Sequence, residues 1–144
     1  MTEENARKNK YLLQYCDCKN EVKELEDRLE ALVTSYMSPG AKPQDGMPHA
    51  HGAAHDLSEM AVKIEEIREK LIGAEQKSLC VMSDIIDRIN ELPDPDDRRI
   101  LMLRYVDGKT WEQVGEAMHI TDRWAKVCNG RALKKISIPE KSSF

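Results

Sequence analysis

Arg123, Lys126 and Val127 lie on a short amphipathic run, opposite a side made of Ala125, Cys128, Ala132 and Ile136 when residues are placed at about 100° each. Gly130 and Lys134 fall with the first group, and Trp124 and Arg131 occupy one shoulder. Asp122, near the start of the run, is the only acid there. Guanidinium and ammonium groups spaced this way attract phosphates and can reach base edges, and a valine methyl suits the methyl of thymine. A second short run begins at Lys109 and Thr110, and the two meet at a three-residue pause, His119-Ile120-Thr121. The chemistry on offer is the reading of a DNA groove. A solvated basic face is the alternative, since most charge on helices does nothing else. The order of capped helix, short turn and second capped helix favours a helix-turn-helix.

Other chemistries have less to stand on. Carboxylates are plentiful, yet none sits beside a candidate nucleophile, and no glycine-rich cradle for phosphate follows a strand, so neither an enzyme nor a cofactor is expected. His49, His51 and His55 spell H-x-H-x3-H, which could hold zinc or nickel. Metal-binding histidines normally sit on rigid elements with supporting partners, and a stretch flanked by glycine and proline offers neither, so no metal is expected. The four cysteines, Cys16, Cys18, Cys80 and Cys128, lack C-x-x-C spacing and read as free thiols in a reducing compartment.

The 144-residue chain carries a formal charge of −4, which excludes a uniformly basic coat. Its charge is uneven, with nine Lys or Arg against four Asp or Glu between Arg98 and Ile136. That stretch can bind phosphate although the whole is acidic. No apolar run approaches the roughly 20 residues that span a bilayer, and the first residues lack the apolar core of a signal peptide. No membrane is expected, and the cytoplasm is the expected location.

The elements that must position these residues are helical. From Tyr11 the apolar positions run Tyr15, Cys18, Val22, Leu25, Leu29, Leu32 and Tyr36, alternating three and four apart, a heptad seam on one helix from about residue 4 to 36. Pro39, Gly40, Pro43, Gly46 and Pro48 then predict a loop over about 37–56, with Asp56 as the N-cap of the next helix. That helix carries Leu57, Met60, Ile64, Ile67 and Leu71, and after Gly73 its stripe moves to Leu79, Met82, Ile86 and Ile89. Two arms of similar length predict a long antiparallel, coiled-coil-like helical hairpin over 1–91. A two-helix hairpin buries little on its own, so Tyr15, Val22, Leu25, Leu29, Leu32, Ile64, Ile67 and Leu71 are the expected oligomerisation residues of a homo-oligomer, a dimer first.

ELPDPDD marks the boundary to a second domain over 92–136, with a flexible tail over 137–144. A helix from about Pro95 to Val106 ends at Asp107-Gly108. Thr110 and Thr121 are placed to cap the two short helices, Gly115 to admit a closely crossing helix, and His119 to turn the chain in the left-handed region. The fold class is therefore all-α, a helical hairpin followed by a helix-turn-helix.

The run LPDPDDRRILMLRYVDGKTWEQVGEAMHITDRWAKVCNGRALKKI resembles the region 4 helix-turn-helix of bacterial sigma factors. Leu92-Pro93, Leu103-Arg104-Tyr105, the Thr110 to Gly115 helix start and the Arg131-Ala132-Leu133-Lys134-Lys135 close carry the likeness over about a third of the chain. It implies that Arg123, Lys126 and Val127 face bases, beside Trp124, and that Lys109, Thr110, Arg131 and Lys134 hold the phosphates of double-stranded DNA. His119 stands where the family has a turn glycine, and Asp122 and Val127 stand at positions often basic or polar, so sequence preference does not carry over. The whole chain, with its helical first half and the GMPHAHGAAHD stretch, resembles the ArpU-type phage and prophage regulators of late genes. That implies promoter binding and recruitment of host RNA polymerase in a bacterial cell; nothing in the chain resembles region 2, so a self-sufficient sigma factor is not expected. Two alternatives stay open: a small terminase-like packaging subunit, and a region 4-like protein that binds polymerase or another partner.

Overall fold

The computed structural model describes the backbone of residues 2–37 and 50–139, and the side chains of 2–37 and 57–139. Helix α1 runs Glu3–Met37 without a glycine or proline, opened by Glu3 and Glu4 in its first turn and by the Thr2 hydroxyl, which accepts the Asn5 N–H at 3.1 Å. Helix α2 runs Ala50–Asn90. It begins earlier than the expected loop allows, so Asp56 lies inside the helix and is not its cap. After Pro48 no proline occurs until Pro93, and Ala50, Ala53 and Ala54 are strong helix formers. His49, and the side chains of His51 and His55, lie outside the described residues. The described residues are all-helical or turn, as expected: α3 Pro95–Leu101, a π-helical segment Met102–Val106, α4 Trp111–Met118 and α5 Asp122–Lys135 complete the order.

The chain forms two compact units. Residues Asn20–Gln76 make one, from the later part of α1 and the earlier part of α2. Val22, Leu25, Leu29, Leu32, Ile64, Ile67 and Leu71 are all half-buried there, and Ala74 is the one apolar residue of this unit that is nearly covered, among the described residues. Two helices have no third layer with which to bury a seam fully.

The other unit joins the chain up to Lys19 with everything from Lys77 onward. Its core takes Tyr11, Leu12 and Cys18 from α1, Val81, Ile85 and Ile89 from α2, and Ile100, Leu101 and Tyr105 from the α3 region. Val114, Ala125, Ala132, Leu133 and Ile136 close it. The expected division at residue 92 therefore falls inside this unit, and Tyr15 packs against its core. The stripe expected after Gly73 also differs: Val81 and Ile85 are fully buried beside Ile89, while Leu79 is 61% exposed and Met82 and Ile86 are half-buried. Residues 79–89 hold two apolar stripes, and periodicity alone does not say which one meets the core.

Polar contacts tie the start of α1 to this unit. Tyr105 donates to Asn9 Oδ1 and accepts from Asn129 Nδ2 at 3.1 Å; burial, first of all, raises the pKa of the Tyr105 hydroxyl. The Tyr11 hydroxyl donates to Asp84, which also pairs with Arg88 at 2.9 Å. Burial and then the Asp84 carboxylate push Tyr11 up to about 12. The tail is held further than expected: Arg88 donates to the Ser137 carbonyl at 3.1 Å, and Ile138 packs on the core. Residues 140–144 lie outside the described residues. All four cysteines are free thiols. Among the described residues, no helix is long and apolar enough to cross a membrane.

Candidate nucleic-acid interface

Each turn of the C-terminal domain is fixed by a local device. Asp94 caps α3 by accepting from the Asp96 N–H at 2.9 Å, and Pro95 fills the first helical position, where a missing N–H costs nothing. The helix then widens, with the Asp107 N–H reaching back to the Met102 carbonyl at 2.9 Å, and Gly108 leaves it at a φ of +69°. Arg104 lies 4.4 Å over the Trp111 ring and donates to the Lys109 carbonyl at 2.9 Å, which sets the approach to α4. Thr110 opens α4 with a capping box: its hydroxyl accepts from the Gln113 N–H at 3.3 Å, and the Gln113 side chain accepts from the Thr110 N–H at 3.0 Å.

His119 ends α4 in the left-handed region at φ 58° and ψ 41°, as expected from its place in the turn. The Ile120 N–H then closes on the Gly115 carbonyl at 2.9 Å. This explains Gly115 differently from the sequence reading. What approaches it is the turn backbone itself: a Cβ there would lie 2.7 Å from the Ile120 carbonyl oxygen and 3.1 Å from the Asp122 nitrogen. Thr121 caps α5, accepting from the Trp124 N–H at 3.0 Å.

Of the nine basic residues between Arg98 and Ile136, four serve the fold. Arg98 donates to the Leu92 carbonyl at 2.6 Å, Arg99 to the Ala117 carbonyl at 3.0 Å and Arg104 as above. Lys135 pairs with the nearly buried Asp97 at 2.7 Å, and that hydrogen bond raises its pKa. The five others are Lys109, Arg123, Lys126, Arg131 and Lys134, the basic residues proposed to meet DNA. Among the described residues none of these five has an ion pair. Arg123, Lys126, Arg131 and Lys134 are exposed, and Lys109 is half-buried. Val127 and Trp124 are 42% and 43% exposed, with the Arg131 guanidinium 5.0 Å over the Trp124 ring. Thr110 is exposed, although its hydroxyl is engaged in the cap.

Beneath this face Ala125, Ala132 and Ile136 are buried and Cys128 half-buried, matching the expected inner side. Gly130 departs from the expectation. It is half-buried, and its carbonyl accepts from Asn5 at 3.1 Å, because the start of α1 lies along that flank; Lys8 likewise donates to the Lys134 carbonyl at 3.3 Å. Asn129 and Leu133 were absent from the expected inner side and are buried. The signal for Asn129 was available, since at 100° per residue it falls next to Ala125 and Ile136, whereas Leu133 falls beside Lys126 at the edge of that side and only packing places it inside. Residues 89–137 match the family model of Sigma-70, region 4. That match covers about a third of the chain and includes every residue proposed for DNA contact. No curated protein and no solved structure matches the chain. The domain is thus a sigma region 4-like helix-turn-helix, a kind of domain that fits DNA binding.

Proposed function

We propose that this chain is a DNA-binding transcription regulator of a phage or prophage, an activator of late genes that acts at promoter DNA together with host RNA polymerase in the bacterial cytoplasm. The observation that carries it is the exposure of Arg123 and Lys126 on the first turns of α5, free of ion pairs among the described residues, within a region 4-like domain. Phosphate contacts from Lys109, Arg131 and Lys134 would set register, and Arg123, Lys126 and Val127 would read the groove floor. No catalytic role or cofactor belongs to this reading. A homodimer would place two recognition helices on repeated half-sites.

The test is to select bound duplexes from random and phage DNA with the purified chain. Recovery of one enriched motif, lying upstream of phage promoters, supports the proposal. Recovery of no motif, together with ring-sized assemblies in solution, would favour a packaging subunit instead.

A further inference from the structure

Between Pro95 and Lys135 every large apolar side chain but two is buried or half-buried, and the two stand together on the proposed DNA face. They are Val127 and Trp124, 42% and 43% exposed. At 100° per residue Val127 lies about 40° from Arg123 and about 60° from Trp124, so it stands inside the basic face and not at its margin. The Arg131 guanidinium, 5.0 Å over the Trp124 ring, holds that ring in place. Arg123, Lys126, Arg131 and Lys134 are exposed without ion pairs among the described residues, so the face calls for a polyanion, and the apolar spot within it must meet an apolar group of that polyanion.

In the major groove every base edge presents hydrogen-bonding groups, and one unmodified base adds an apolar group, the C5 methyl of thymine. Valine has neither a donor nor an acceptor in its side chain. Set against guanine, adenine or cytosine, it would strip water from N7, O6 or an exocyclic amine and return no hydrogen bond, a cost that the thymine methyl avoids. We infer that α5 selects a thymine in its binding site through the C5 methyl, with the Val127 side chain as the reader and the Trp124 ring as the apolar wall beside it. The inference rests on the proposed DNA-binding reading and deepens it, from a groove that is occupied to a base that is chosen.

The experiment uses the full chain and the duplex motif recovered by selection, with each thymine replaced in turn by uracil. Uracil keeps the pairing with adenine and lacks only the methyl group. At one thymine position the parent should bind about fourfold more weakly, the worth of one buried methyl, with the slope of log affinity against log salt unchanged. Val127→Ala, an exchange at an exposed helical position, should lose a similar factor on the thymine duplex and then bind the thymine and uracil duplexes alike within about twofold. A parent indifferent to every uracil, or a Val127→Ala variant that loses as much on uracil as the parent does, overturns the inference while leaving DNA binding standing. A chain that selects no motif overturns both.

Discussion

Gly115→Ala should damage the helix-turn-helix although alanine is the better helix former. In an open helical position the exchange gains up to about 1 kcal/mol. At residue 115 the new Cβ would meet the Ile120 carbonyl oxygen at 2.7 Å, where ordinary contacts begin at 3.4 Å. The obstructing atoms are backbone, and they belong to the turn held by the Ile120 N–H bond to Gly115 and by the Thr121 cap. Relief therefore means shifting the turn. Overpacking of this kind costs about 1–3 kcal/mol, and weakening the Ile120 bond adds about 1, so a net loss of about 2 kcal/mol is expected. Gly130→Ala on α5 is the matched control, because a Cβ there meets nothing within 4 Å, and it should gain about 0.5–1 kcal/mol. Urea unfolding followed by tryptophan emission is the suitable assay, since Trp111 and Trp124 both lie on the two helices in question. Gly115→Ala as stable as the parent would refute the close approach as the reason for glycine.

Thr121→Ala should remove the cap of α5 and lower the stability of the same tryptophan transition by about 1 kcal/mol; an unchanged midpoint would show that the cap is dispensable. Tyr11→Phe tests the hydroxyl buried against Asp84. Its folded pKa is raised to about 12, so the stability it contributes is present below about pH 10 and is lost as pH rises through 12. The parent should exceed the variant at neutral pH, and the gap should narrow between pH 10 and 12; a constant gap would contradict the linkage. Lys135→Met should loosen α5 from α3 by stranding the nearly buried Asp97 carboxylate, and Asp97→Asn should recover part of the loss. If the two changes prove simply additive, the pair is not coupled.

Local signals carried the C-terminal domain into view. Thr110, Thr121, Gly108 and His119 act through bonds and torsions within four residues of themselves, so residue type and spacing foretell them. The basic face was equally legible, because charge opposite small apolar residues needs only the helical period. Less legible was anything settled by a distant partner. Tyr11 and Tyr15 continue a heptad, and nothing in that rhythm reveals that the core around Tyr105 covers them. Val81 and Ile85 compete with Leu79 and Met82 on one helix, and packing chose between them. Arg99, Arg104 and Lys135 look as available to DNA as Arg123 until the carbonyls and the carboxylate they serve are placed.

The salt dependence of duplex binding by the parent and by the Arg123→Ala, Lys126→Ala double variant tests the central claim most directly, with the selected motif as ligand. Loss of two cationic contacts should weaken binding at moderate salt and reduce the slope of log affinity against log salt by up to about 2. An affinity and slope equal to the parent's would place the DNA elsewhere, or nowhere, on this protein.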